Sequence, residues 1–137
     1  MPHFDTLALG DKLPSRSYTA SNVSLFLYNA AIWNPHRIHY DERYTTDVEK
    51  HPGVVIDGPL QGDWLTQVVT AWLGADGHLL EFEYTNRRAS YLGDCLTAGG
   101  RIVTLDAARQ EVTLELEIRD QNGQVTTPGR ALVHLHR

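Results

Sequence analysis

From residue 58 onward, the order of apolar and polar side chains divides the chain into one helix followed by strands. Leu60, Trp64, Leu65, Val68, Val69, Trp72 and Leu73 recur at helical spacing and form a wide apolar face. Gly58-Pro59 places a proline where the first helical turn accepts one, and Gly74 and Gly77 close the helix. So wide a face predicts burial against a broad surface, most naturally a sheet. After Gly77 the period changes to two. Leu80, Phe82 and Tyr84 alternate with Glu81, Glu83 and Thr85, and a second stretch runs from Leu96 to Leu105. Val112, Leu114, Leu116 and Ile118 alternate with Glu111, Thr113, Glu115 and Glu117, which predicts a half-buried strand with one wet face. Asn122-Gly123 is a turn signal. Val125 resumes the strand, Pro128-Gly129 interrupts it, and Ala131, Val133 and Leu135 carry the alternation to the end.

The first 57 residues are less regular. Residues 1–14 read as loop, and Ser15 to Thr19 as a short extended piece. Ser21 or Asn22 caps a helix over Val23–Ile32, where Val23, Phe26, Leu27, Ala30 and Ala31 repeat at helical spacing. Pro35 disfavours helical geometry in the residue before it, so that helix stops by Asn34. A helical turn over Asp41–Glu49 and a turn at Pro52-Gly53 follow. Four or five strands with one apolar face and one long apolar helix make an α+β domain, the helix lying on an antiparallel sheet.

Composition narrows the function classes. With 137 residues, 42% of them hydrophobic, the chain reads as one domain over residues 1–137 with enough apolar surface for its own core. The single cysteine, Cys95, cannot form an internal bridge, which points to a reducing compartment and a cytoplasmic protein. The net charge is −5 and the 12 basic residues are scattered, so no nucleic-acid partner is expected. No run of 18 apolar residues suggests a membrane span, and Met1 to Asp5 lack the pattern of a signal peptide.

The chemistry is concentrated in Asn34-Pro35-His36-Arg37-Ile38-His39-Tyr40-Asp41, where two histidines lie beside an amide, an acid and an arginine. Histidine is suited to proton transfer near neutral pH, and hydrogen-bonding neighbours can hold a water for it. A polar loop whose histidines cap backbone groups has the same composition. His36 and His39, three apart with Asp41 nearby, give only a weak metal signal: zinc usually takes three or four protein ligands, and the remaining histidines show no recurring ligand spacing, so no metal is expected. Asp57-Gly58-Pro59-Leu60 opens the apolar helix. Its unpaired N–H groups and partial positive charge suit the oxygen of a polarised carbonyl, although any Gly-Pro helix start shares them.

In these two segments the sequence resembles the MaoC-like acyl-CoA hydratases and dehydratases of the hot-dog fold. Tyr84-Thr85-Asn86-Arg87-Arg88, Gly93-Asp94-Cys95-Leu96 and the closing Gly129-Arg130-Ala131 extend the resemblance over nearly the whole chain. It implies a long helix wrapped by a curved antiparallel sheet. The common pattern has an Asp and, five residues later, a His that together hold the attacking water. Placing His39 on that histidine puts Asn34 on the aspartate, His36 on an intervening Asn, and Asp41 on the acid that follows. Gly58 falls on the glycine whose N–H binds the thioester carbonyl, with Asp57 where a His is usual. One subgroup carries the same Asn-x-His-Arg-Ile-His-Tyr-Asp form.

The resemblance implies reversible hydration of trans-2-enoyl-CoA esters to 3-hydroxyacyl-CoA. Asn34 and His39 are then the catalytic pair, and Gly58, His36 and Leu60 contact substrate. Arg87 and Arg88 meet CoA phosphates, unless they are simply solvated. Trp33, Tyr40 and Tyr44 lie near the proposed site, whereas Trp64 and Trp72 read as core or interface. No cofactor is expected, CoA being part of the substrate. The expected assembly is a homodimer or higher homo-oligomer, or a hetero-oligomer with another hot-dog chain. An amide at 34 cannot take a proton as a carboxylate does. Two alternatives therefore stand: a thioesterase using Asp63 on the helix, and a non-catalytic subunit supporting a catalytic partner.

Overall fold

A computed structural model of the chain describes residues 2–136. The elements are β1 (Arg16–Tyr18), α1 (Asn22–Ala31), α2 (Glu42–Asp47), α3 (Gly58–Leu73), β2 (Gly77–Tyr84), β3 (Leu96–Asp106), β4 (Glu111–Arg119) and β5 (Val125–Leu135), with 3-10 turns at Phe4–Thr6 and Arg37–His39. All five strands form one antiparallel sheet in the order β1-β3-β4-β5-β2. Helix α3 packs on β2, β3, β4 and β5. Its Leu65, Val68, Val69 and Leu73 join Leu96, Ile102, Leu114, Leu116, Ile118, Val133 and Leu135 in one core. The α+β expectation of a helix on an antiparallel sheet is met. No helix among the described residues is long and apolar enough to cross a membrane.

Local chemistry explains the helix boundaries. Ser21 and Ser24 form a capping box at the start of α1. At its other end, Trp33 N–H reaches the Ala30 carbonyl and Asn34 N–H the Asn29 carbonyl. This Schellman closure puts Trp33 at a positive φ of 55°. Helix α3 stops at Gly74, also at φ 55°. Gly77 does not help close that helix: it opens β2, opposite Leu135.

Three features of the pattern take their meaning from the fold. Val23, Phe26 and Leu27 repeat at helical spacing but lie exposed, while Leu25 and Asn29 form the buried side of α1. Periodicity located the helix without fixing which stripe the rest of the chain would cover. Leu80 points outward because the register of β2 against β5 shifts between Leu79 and Glu81, leaving Leu79, Phe82 and Tyr84 against the core. Pro128-Gly129 does not interrupt β5. Pro128 pairs with Glu117, and its carbonyl accepts from Thr85 N–H just past the end of β2, so the strand runs through the proline.

Gly62 sets how closely α3 approaches β2, since a Cβ there would stand 2.6 Å from the Tyr84 ring. Alanine is the better helix former by about 1 kcal/mol, yet Gly62→Ala should lower stability by about 1–3 kcal/mol through overpacking, measured by urea unfolding. Ser21→Ala removes the capping box and should cost about 1 kcal/mol in the same measurement.

Candidate functional site

The Schellman turn that ends α1 brings two asparagines together, because Asn34 N–H closes onto the carbonyl of Asn29. Both side chains then turn to one carboxylate. Asn29 Nδ2 donates to Asp57 Oδ1 at 3.0 Å and to the Leu25 carbonyl at 2.8 Å, while Asn34 Nδ2 donates to Asp57 Oδ2 at 3.2 Å. The Asn34 oxygen accepts the His36 N–H at 3.1 Å, which fixes the orientation of the amide. Asp57 is fully buried.

Asp57 stands at the N-cap of α3 but makes no side-chain capping bond. Pro59 removes one N–H that a capping carboxylate takes, and the two asparagines supply the donors instead. The partial positive charge of the helix start lies against the same carboxylate.

His39 reaches this carboxylate from the 3-10 turn. Its Nδ1 lies 2.8 Å from the Val55 carbonyl and 3.6 Å from Asp57 Oδ1. A carbonyl only accepts, so Nδ1 carries the hydrogen and the neutral ring keeps its lone pair on Nε2. Val55 is held from both sides. Its own N–H donates to the Ile38 carbonyl, while Ile56 N–H and Leu92 N–H tie this extended segment to the residue 90–92 loop. Gln61 adds a buried link, accepting from Thr127 Oγ1 at 2.7 Å.

The other expected site residues are dispersed. His36 is exposed, its Nδ1 near the Ile38 N–H at 3.4 Å and its ring centre 5.8 Å from that of His39. Asp41 caps α2 through the Tyr44 N–H and pairs with Arg37 at 2.8 Å; these two contacts hold its carboxyl below the usual range. Gly58 N–H, at the first helical position, has no intrahelical acceptor. The space where its Cβ would project is taken by the Asn86 carboxamide, so the glycine makes room for Asn86. Leu60 packs against the core. Arg87 and Arg88 are both exposed, their N–H groups on the Thr126 carbonyl, and Arg88 reaches Gln124 at 2.9 Å. Asp63 is exposed and accepts from Tyr28 at 3.3 Å; that phenol is pushed up to about 12 by burial and by the neighbouring carboxylates.

Among the described residues, no three His, Cys, Asp or Glu side chains converge as metal ligands. A concavity of about 340 Å³ opens beside Asn29 and Asn34. A larger one, about 620 Å³, is lined by residues of the 12–15 segment, β3 and β4, and shares no residue with this site. Sequence reasoning noted Asp57 only as a replacement and missed Asn29. For Asp57 a signal existed, because Asp-Gly-Pro is a helix start whose proline weakens the capping reading.

This geometry has known counterparts at the level of fold. The chain superposes with a TM-score of 0.86 on the (R)-hydratase from A. caviae involved in PHA biosynthesis, at 20% identity over 95% of this chain and 98% of that one. The R-hydratase from Pseudomonas aeruginosa gives 0.87 at 19% identity over 98% and 85%. A chain of the ChsH1-ChsH2 complex from Mycobacterium tuberculosis gives 0.83 at 14% over 94% and 98%. The fold is thus the expected hot dog. In sequence, 36 residues are 50% identical to mesaconyl-C(4)-CoA hydratase of Chloroflexus aurantiacus, covering 26% of this chain and 13% of that protein. A stretch of 58 residues is 28% identical to the mitochondrial hydroxyacyl-thioester dehydratase type 2 of Saccharomyces cerevisiae, covering 42% and 21%. These alignments span only a minor part of the curated relatives' length. The family profile of hydroxyacyl-thioester dehydratase type 2 matches residues 8–92, more than half of the chain and the stretch that contains Asn29, Asn34, His39, Asp57 and Gly58, so the chain belongs to that family.

Proposed function

We propose that the chain adds water reversibly across the double bond of trans-2-enoyl thioesters, CoA esters among them, and in reverse dehydrates 3-hydroxyacyl thioesters. The observation that carries this reading is the buried Asp57 carboxylate, held by two amides beside a histidine whose Nδ1 is fixed on a backbone carbonyl. A positioned base with a free lone pair, next to a charge that stabilises its protonated form, is what activation of water requires. The thioester carbonyl meets Gly58 N–H and the start of α3, which draw electron density toward oxygen and leave the β-carbon electrophilic.

In the forward direction His39 Nε2 takes a proton as the water oxygen bonds to the β-carbon, and the electron pair moves to the thioester oxygen as an enolate. As that enolate collapses, the His39 imidazolium returns its proton to the α-carbon, giving the 3-hydroxyacyl ester and the neutral ring again. Asp57 faces the Nδ1 side and stabilises the imidazolium through charge. Asn34 has a second amide hydrogen with which to orient the water. The carboxylate that the family resemblance places at position 34 is thus supplied from position 57, and an amide occupies its old place. Arg87 and Arg88 lie where exposed guanidinium groups can meet CoA phosphates. Polarisation and a positioned base suffice for this reaction without a cofactor. The chain works as a homodimer or with another hot-dog chain.

The test is loss of conjugated-enoyl absorbance with trans-2-enoyl-CoA esters. His39→Ala should lower kcat by about 10²–10⁴-fold, the usual contribution of a general base. Asn34→Asp sets two carboxylates about 3.2 Å apart, judging from the present amide-to-carboxylate distance, and should impair both folding and activity, since like charges that close do not both ionise. Asp57→Asn alone should also lower kcat. The double variant Asn34→Asp/Asp57→Asn restores one carboxylate and one amide, and should recover activity relative to either single variant. Thiol release without enoyl loss, abolished by Asp63→Asn, would replace this reading with a thioesterase. Activity seen only after adding a second hot-dog chain would make the chain a supporting subunit.

A further inference from the structure

The C-terminal end of α1 presents aromatic surface that the fold does not use. Trp33 is 91% exposed and Phe26 60%. With Ala30, Pro35 and Tyr40 they line the 340 Å³ groove, as does Asn34. The Tyr40 hydroxyl donates to the Pro35 carbonyl at 3.0 Å, so this ring is a fixed wall.

Trp33 is also the residue with φ 55° in the Schellman turn. Glycine takes that conformation freely, whereas an L side chain there is strained. The fold therefore gains nothing from an indole at this position, neither burial nor backbone preference. A strained, solvent-facing aromatic residue beside a reactive group points to a ligand.

Resting on the hydratase reading, we infer that this groove binds the apolar acyl chain of the thioester and that Trp33 determines chain-length preference. Two features favour an acyl chain over a protein partner. Asn29 and Asn34, whose amides hold Asp57, both line the groove, which places it against the cluster that carries the reaction. Its volume falls near the lower end of the small-molecule pocket range of about 300–1,000 Å³, as suits one part of a larger ligand.

The experiment compares wild type and Trp33→Gly with trans-2-decenoyl-CoA and crotonyl-CoA. It adds calorimetric binding of saturated decanoyl-CoA and butyryl-CoA, urea unfolding and solution mass. Trp33→Gly should be at least as stable as wild type, because glycine relieves the strained φ. Its ratio of kcat/KM for decenoyl over crotonyl ester should fall about tenfold, as expected for losing apolar contact along the chain. Decanoyl-CoA binding should weaken relative to butyryl-CoA. An unchanged ratio overturns the inference and leaves the hydratase reading intact. Equal loss for both lengths, with a lower solution mass, also overturns it and makes the patch a subunit contact. Trp33-dependent binding of decanoyl-CoA without turnover of any ester keeps the groove and removes the hydratase reading. No binding of either saturated ester, again without turnover, removes both.

Discussion

A carboxylate taken fully out of water must be answered by donors or by positive charge, and the local architecture around Asp57 follows from that demand. Asn29 answers from α1, Asn34 from the turn that ends α1, and the start of α3 from the chain that follows, while His39 on the 3-10 turn stands 3.6 Å away and answers by charge when it takes a proton. Four chain segments are thereby tied to one side chain. Removing any donor leaves a buried charge short of a partner, so these residues act as a unit and their substitutions should not add.

The sheet supplies the rigidity this cluster needs. Leu65, Val68 and Val69 seat α3 against β3, β4 and β5, and Gln61 bonds to Thr127, so the first turn of α3 is anchored to a central part of the sheet. The Val54–Ile56 segment is hydrogen-bonded on one side to Ile38 and on the other to residues 90–92. The Val55 carbonyl is consequently a fixed acceptor, and it sets which nitrogen of His39 carries the hydrogen. A backbone group from an unremarkable apolar segment thus decides the protonation pattern of the histidine.

Much of the fold was legible in order and period. The strand at Glu111–Arg119 reads directly from alternating glutamates and aliphatics, and α3 from its apolar spacing between Gly-Pro and Gly74. The site was legible in part. Asn34, His39 and Gly58 stand out by residue type and by resemblance, but Asn29 lies in α1 among residues that suggest an apolar stripe. Its importance depends on Asp57, 28 residues away. The stripe of Val23, Phe26 and Leu27 placed α1 yet lies exposed for a related reason: periodicity shows that one face is apolar, not what will stand against it.

The sequence by itself determined the element order, the strand period, the caps of α1 and the presence of an amide where a family carboxylate is expected. These depend on residues within a turn or two of one another, where backbone geometry limits the choices. Only the tertiary structure decided that Asp57 is buried, that two asparagines hold it beside His39, and that the aromatic end of α1 opens onto the same place. Those outcomes depend on desolvation, and the water around a side chain is removed by parts of the chain far from it in sequence.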